Sequence, residues 1–481
     1  MKKNTYFKAI GILSTMGILA TNAIHGQTTV FQQIYQTTFD QSARDVISTN
    51  DGGYILAGMT ENYILGDTNL HFIKTNNLGD TTWTATYGGG LPDYPNSILQ
   101  DSDGNYMVAA YTKSFGAGGT DSYILKLNGS GDTIWTKTFG GSGEDEAKEI
   151  IASGDGNFIV VGRTNSISGT SQDMYLMKID PSGNMIWTKT YGGPQFESGN
   201  SVKICLDGGY ILGGQTLSYG SGMGDHWLLR TNSSGDSLWS KTFGGTAFDE
   251  TKYVLANPDG TFTLCGNSYI SGDADIQAIK TDASGNVIWD KMYGGTDKDV
   301  SKTIEPTSDG GYILSSISRS FGWINPDMWL LKINGSGDTV WTKNYGSFDH
   351  EHAYCAKQTA DDGFIAVGHS KSYGPNMKIM FIKLNQYGTF TVSVDQLFAE
   401  ELIDVFPNPT DGLLRLNIKG NNRPFSFNIV NPLGQIVYYK NSQQDLNSEE
   451  STIDLTGNKP GMYFMNLISG ERSTTKKLIL R

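Results

Sequence analysis

Ile134-Trp135-Thr136-Lys137-Thr138-Phe139-Gly140-Gly141 is the stretch that decides how this chain is read, because variants of it keep returning. Trp83, Trp135, Trp187, Trp239, Trp289 and Trp341 stand 52, 52, 52, 50 and 52 residues apart, most of them followed by an aromatic residue and one or two glycines. An Asp-Gly pair follows each Trp by 20 residues, or 21 in the last case. A fixed period near fifty marks a solenoid or a propeller, in which each repeat hides its apolar face only against its neighbours.

Residues 144–191 show the internal plan of one repeat. Ala147 to Ala152 is a first strand, and Asp155-Gly156 is a tight turn, since Gly accepts the positive φ that such a hairpin needs. Phe158-Ile159-Val160-Val161-Gly162 is a second strand, mostly apolar and so expected to be buried on both faces. A loop from Arg163 to Gln172 leads to a third strand, Met174–Ile179. Asp180-Pro181-Ser182-Gly183-Asn184 turns the chain into a fourth strand, Met185–Tyr191, which carries Trp187. Four antiparallel strands make one propeller blade.

The Asp-Gly turns at Asp51, Asp103, Asp155, Asp207, Asp259, Asp309 and Asp362 count seven blades. Twenty residues before Asp51 lies Phe31, in the slot where later repeats carry Trp. The segment Thr29–Thr38 therefore reads as a fourth-type strand that precedes any first strand. It is expected to pair with the strand at 378–385, closing the ring and removing exposed edges. The strand around Phe390 is expected to lead out of the ring. The fold class is all-β: a seven-bladed propeller over 27–395, a linker over 396–405, and a small β-sandwich over 406–481.

Composition narrows the class of partner. A net charge of −13 argues against nucleic acid or an anionic membrane, both of which need basic patches. Sixty glycines against thirteen prolines fit many tight turns, and 11% aromatic residues supply a core. Residues 1–26 read as a secretory leader: Lys2, Lys3 and Lys8 form a basic start, a short apolar run follows, and Gly26 offers a cleavage point. Cys205, Cys265 and Cys355 are odd in number and fall in different repeats, so they are expected to be unpaired, inert thiols.

The pattern changes near residue 400. Phe406-Pro407-Asn408-Pro409-Thr410-Asp411-Gly412 opens a region with Asn431-Pro432-Leu433-Gly434-Gln435, then Gly461-Met462-Tyr463-Phe464 and Lys476-Lys477-Leu478-Ile479. These four motifs, in this order, resemble the type A C-terminal sorting domain of type IX secretion, a small β-sandwich of Bacteroidota. The resemblance marks Pro407, Asn408, Pro409, Gly434, Gly461, Tyr463, Lys476 and Lys477 as sorting-motif residues. It implies the type IX machinery as partner, passage across the outer membrane, and a secreted or cell-surface location. The repeat itself, as in Lys178–Trp187, is similar to the Trp-docking repeat of quinoprotein-like propellers and to exported bacterial propellers of no settled activity. A quinone-dependent dehydrogenase of that class would have eight blades and often an adjacent cysteine pair, and this chain shows neither. A shared fold does not supply a site.

Candidate functional residues lie at the end of the blades opposite the Asp-Gly turns. Five residues after the first Gly of each Trp strand stand Asp93, Asp145, Glu197, Asp249, Asp299 and Glu351. Five before the third-strand Lys or Arg stand Asp121, Asp173, Asp225, Asp275 and Asp327, with Asn69 and Lys378 in the outer two blades. Rings of carboxylates are able to hold Ca²⁺ or sugar hydroxyls, and no other cofactor is expected. A residue present in nearly every blade, however, does what every blade needs, and accepting hydrogen bonds from loop N–H groups is the weightier reading. Aromatics recur in the loop after the second strand, at Tyr63, Phe115, Tyr219, Phe321 and Tyr373, where packing against the neighbouring blade competes with ligand contact. Trp323, in the divergent run Phe321-Gly322-Trp323-Ile324, is the foremost contact candidate. His350 and His352 alternate along one strand and thus suggest a weak metal site.

No nucleophile elbow, His-Glu-x-x-His or phosphate loop occurs. The expected function is non-catalytic binding of a glycan or surface protein by a monomeric exported propeller. The alternative is a secreted carbohydrate-active hydrolase or lyase that uses the acidic face, since two carboxylates suffice for glycoside cleavage.

Overall fold

A computed structural model describes residues 29–35, 38–62, 66–167, 171–269, 272–321, 325–347, 349–390, 403–418, 425–431, 436–442, 450–469 and 472–481. All regular structure among them is strand. The chain divides into two compact units, Met1–Phe390 and Thr391–Arg481. The expected leader, 1–26, lies outside the described residues.

The first unit holds seven antiparallel four-stranded sheets. Their first strands are Asp40–Ser48, Asp93–Gln100, Asp145–Ala152, Glu197–Ile204, Asp249–Ala256, Asp299–Pro306 and Glu351–Gln358, here numbered as blades 1 to 7. Each first strand lies beside the first strand of the next blade, and that of blade 7 returns to that of blade 1, so these seven line the axis. In blade 3 the remaining strands are Phe158–Thr164, Asp173–Ile179 and Met185–Tyr191; the second and third run slightly further at the loop end than the pattern suggests, and the fourth has the expected bounds. The second strand is buried along nearly its whole length, as its continuous apolar run requires.

Closure follows the Phe31 argument. Phe31–Tyr35 pairs antiparallel with Lys378–Leu384, from Phe31 opposite Lys383 to Tyr35 opposite Ile379, and supplies the fourth strand of blade 7. The strand is shorter than 29–38: residues 36 and 37 lie outside the described residues. Phe31 packs edge-on against Phe381 at 5.0 Å and Tyr54 of blade 1 at 6.3 Å. Phe390 packs on Tyr345 at the edge of the core between blades 6 and 7.

The recurrent tryptophans seal the outer seams. Each fourth strand is the outermost of its blade, so these rings are half-buried rather than fully enclosed. Trp83, Trp135 and Trp289 donate Nε1–H to carbonyls of Gly129, Pro181 and Gly335 in the next blade, each at 3.1 Å. The turn of that next blade presents a glycine flat against the ring. A Cβ on Gly235, which sits at φ +79°, would come within 3.0 Å of Trp187. Gly79 meets Phe31 in the same way, so Phe31 takes over the Trp role at the closing seam.

A second repeated device fastens the opposite corner. The third-strand cation reaches back to the Asp-Gly turn: Lys74 to Asp51 at 2.9 Å, Lys178 to Asp155 at 2.6 Å, Arg230 to Asp207 at 2.5 Å, Lys332 to Asp309 at 2.9 Å. In blades 2 and 7 the acceptor is Asp101 or Asp361, the residues two and one before the counted Asp. The three cysteines are free, and burial pushes the thiols of Cys205 and Cys265 up to about 12.

The second unit is a small two-sheet domain. One sheet joins Ile403–Phe406, Leu413–Ile418 and Glu450–Asp454; the other joins Ile436–Ser442, Phe425–Val430, Gly461–Ser469 and Arg472–Leu480. Alternation decides the faces: Leu414, Leu416, Phe427, Ile429, Tyr463, Met465, Leu478 and Leu480 turn into one core. Its first strand begins at Ile403, inside the expected linker, because Val405 belongs to that core. Residues 391–402 lie outside the described residues.

Candidate functional site

The repeated acids of the loop-bearing face are the first residues of the inner strands, and they are buried. Asp93, Glu197, Asp249, Asp299 and Glu351 are wholly enclosed, and Asp145 nearly so. Each accepts a backbone N–H from the segment that enters its blade: Gly89 to Asp93 at 2.9 Å, Gly141 to Asp145 at 3.0 Å, Gly193 to Glu197 at 2.8 Å, Gly245 to Asp249 at 3.0 Å, Gly295 to Asp299 at 2.9 Å, Ser347 to Glu351 at 2.9 Å. Hydroxyls at the end of the second strand complete the cradle, from Thr112, Thr164, Thr216 and Ser370. Blade 1 differs, with Gln41 standing in the slot opposite Thr60.

The second acidic ring lies against the first. A Cβ on Gly192 would come within 2.1 Å of Asp173 and 2.8 Å of Glu197, so that glycine lets two carboxylates of adjacent blades flank one backbone. The same arrangement surrounds Gly140 (Asp121, Asp145), Gly244 (Asp225, Asp249), Gly294 (Asp275, Asp299) and Gly346 (Asp327, Glu351). Burial first, and then the neighbouring carboxylate, raises the pKa of Asp121 and Asp225.

The loop aromatics make a half-open rim. Phe115, Tyr219 and Phe321 lie at 5.6, 5.9 and 5.1 Å from Tyr123, Trp227 and Trp329 on the third strand of their own blade. Phe115 also packs on the core shared by blades 1 and 2, and the Tyr219 hydroxyl donates to the Gly192 carbonyl of the incoming segment at 2.8 Å. Tyr219, Phe321 and Tyr373 remain 46, 41 and 42% exposed, enough to present a ring edge to solvent. Trp323 and Tyr63 lie outside the described residues. A cleft of about 170 Å³ opens where the repeat is broken, lined by Gln32, Asn344, Tyr345, Glu351, Tyr373 and Phe390 among others.

The two histidines named from sequence are not brought together. His350 precedes the strand and bonds Asp349 at 2.7 Å. His352 instead meets His369, the residue opposite it in register, with ring centroids 4.5 Å apart. Burial, and then Lys302, lowers the His352 pKa to about 4. No cluster of three His, Cys, Asp or Glu able to hold a metal occurs among the described residues.

The axis itself holds a set of side chains that the motif search did not single out. Every inner strand bulges at its middle, between Ala43 and Asp45, Pro95 and Ser97, and at the matching places round the ring. The extra residues are Arg44, Asn96, Lys148, Asn200, Lys252, Lys302 and Tyr354, all half-buried. A bulge re-aims a side chain, and these cross to the neighbouring blade. Asn96 and Asn200 donate to carbonyls of Ala147 and Thr251, both at 2.7 Å. Lys252 is matched by Glu250 at 2.8 Å and Lys148 by Glu146. Arg44 lies 5.7 Å from the ring centres of both Tyr94 and Tyr354, and Lys302 Nζ lies 5.4 Å from that of Tyr354. The clue was present in the sequence: bases recur three residues after the slot that holds the acids.

In the second unit the sorting motifs converge. Phe406, Pro407, Asn408 and Pro409 are exposed, and both X-Pro bonds are cis. Asn408 Oδ1 accepts the Ile479 N–H at 2.9 Å, and Thr410 bridges Leu480, so the opening motif is tied to the last strand. Tyr463 is buried with its hydroxyl on the Lys459 carbonyl at 2.7 Å, beside a strand opened by Gly461. Lys476 and Lys477 pair with Met465 and Phe464 in backbone register. Gly434 lies outside the described residues.

Residues 404–481 match the secretion system C-terminal sorting domain. The regulatory protein FlaEY of Caulobacter vibrioides is 22% identical over 216 residues, which cover 39% of this chain and 22% of that protein, so the chain spans about a fifth of that curated relative. Among solved structures, PorZ, a surface component of the type IX secretion system of Porphyromonas gingivalis, aligns with a TM-score of 0.43 at 13% identity, covering 94% of this chain and 62% of PorZ. The WD40 domain of Neurospora crassa Pan2 aligns with a TM-score of 0.44 at 8% identity, covering 72% and 96%. The chain is a β-propeller with a type IX sorting domain, exported to the cell surface or released.

Proposed function

We propose that the exported propeller is a non-catalytic binding module for a glycan or a surface protein. The observation that carries this reading is the repetition of the paired carboxylates around five blade junctions, each cradled by its own loops. Hydrolysis at a glycosidic bond asks for one pair set apart by its environment, with one group acid and the other base. Five equivalent pairs, in each of which the inner-strand acid accepts a loop N–H, serve the ring instead. The half-exposed edges of Tyr219, Phe321 and Tyr373 offer ring surface to a ligand, the cleft at blade 7 is where the face departs from symmetry, and recognition is assigned there. A panel of polysaccharides, scored for both retention and new reducing ends, tests the proposal. Retention without cleavage is the expected outcome, and release of reducing ends by the purified chain refutes it.

A further inference from the structure

We propose that the axis of the propeller, at Arg44, Lys302 and Tyr354, binds a single oxyanion group (a carboxylate, sulfate or phosphate) at the end of a ligand. The inference deepens the binding reading above, on which it rests, by adding to the rim and cleft that contact the body of the ligand an axial contact for its charged end.

Four cations project from the axial bulges, and two of them make no ion pair among the described residues. Lys148 and Lys252 bond Glu146 and Glu250 on their own strands. Arg44 and Lys302 have no carboxylate within ion-pair distance among the described residues, and both rest instead on the Tyr354 ring. Arg44 Nε is buried without a hydrogen-bond partner. A buried guanidinium N–H with no acceptor is unfavourable, and a ligand oxygen entering the axis would satisfy it. Burial first, and then the charges of Lys252 and Arg44, lowers the Lys302 pKa to about 8, with Glu250 opposing the shift. His352 and His369 add no positive charge at neutral pH, since both are held well below their usual value, His352 at about 4.

The remaining features define the ligand. Arg presents a planar fork that matches an oxyanion, and Lys adds a point charge beside it. Both side chains are half-buried, so the axis admits solvent. The chain as a whole carries −13, which repels a long polyanion, while a cationic pocket favours one terminal group locally. Other charged and polar groups along the axis pair with each other, as where Lys357 meets Asp45 at 2.8 Å and Tyr253 meets Glu305 at 3.0 Å.

Calorimetric titration of the full chain with sulfate, inorganic phosphate and D-glucuronate, at constant ionic strength and with D-glucose as the neutral control, tests the site. At least one anion binds and glucose does not; which anion binds separates a sugar carboxylate from a phosphate or sulfate ester. Lys302→Met and Arg44→Gln each weaken that binding about tenfold or more, and Arg44→Lys, which keeps the charge but not the fork, weakens it less. A second readout guards against misfolding: without ligand, Lys302→Met unfolds at a higher temperature than the parent chain, because repulsion is removed. A lower unfolding temperature, binding of none of the anions, or equal affinity in the variants overturns the proposal. Polysaccharide retention that survives Lys302→Met unchanged overturns the axial site while leaving the binding module standing; loss of retention with axial binding intact does the reverse.

Discussion

Replacing Trp187 by Ala tests how the blades are held at their outer edge. The indole is half-buried, 6.4 Å from Tyr210 of blade 4, with Gly235 of the same blade against its face. A large aromatic buries about 200 Å² when enclosed, so half-burial removes about 100 Å² from water. At ~25 cal/mol per Å² that amounts to about 2.5 kcal/mol, below the ~3–5 kcal/mol of a fully enclosed ring. Guanidinium unfolding followed by circular dichroism measures the loss without relying on the deleted fluorophore. Gly235→Ala supplies the second arm. Alone it is costly, since its Cβ lies 3.0 Å from the ring and φ is +79°. In the Trp187→Ala background the contact vanishes and only the backbone strain of about 1 kcal/mol remains. The double variant should therefore be more stable than the sum of the singles implies, by about 0.5–1.5 kcal/mol. A Trp187→Ala loss below about 1 kcal/mol, or strict additivity, refutes the picture of an indole clamped between blades.

Glu197→Ala removes the acceptor of the Gly193 N–H at 2.8 Å, the Thr216 hydroxyl at 2.8 Å and the Ser218 N–H at 3.0 Å. The expected loss by chemical denaturation is about 2–4 kcal/mol, and a change under ~0.5 kcal/mol returns this acid to the list of free ligand groups. Asp309 is held down to about 2: burial opposes this, but the Thr307 hydroxyl, Lys332 and the Gly311 N–H outweigh it. Because the folded pKa lies below the unfolded one, its contribution is complete above about pH 4 and fades as pH falls toward 2. The stability gap between the parent chain and Asp309→Asn should be flat from pH 7 to 4 and close toward pH 2; a gap that grows on acidification contradicts the assignment. A chain lacking residues 29–38 leaves the strand 378–384 with an open edge, so its unfolding temperature should fall and a synthetic 29–38 peptide should restore part of it. No difference from the parent chain would rule out the strand's role in closure.

Much of this was legible from single residues. The Trp–Asp-Gly spacing defined blades because both marks are local: a turn needs its glycine, and an outer seam needs its ring. Phe31 announced closure because it broke the series at one known place. The acid of Glu197 was readable as a loop acceptor from its repetition alone. Arg44 and Lys302 went unnoticed because an axis exists only once seven inner strands converge, and because the bulge that aims them is a cross-strand event. His352 found His369 rather than His350 for the same reason: register across the hairpin, not spacing along the chain, decides which imidazoles meet.

The strand Phe31–Tyr35 finds its partner some 350 residues downstream. A contact of such sequence separation is among the last to form, since the whole intervening chain must be ordered before the loop entropy is recovered. Until then the nascent propeller is an open arc with an unpaired first ribbon and an unmatched last sheet, the kind of species that exchanges strands with a second copy. Once made, the junction works in the opposite sense. The blade that would fray from one end of the arc is held by the strand from its other end, so the ring, among the described residues, offers no terminal repeat at which unravelling can start.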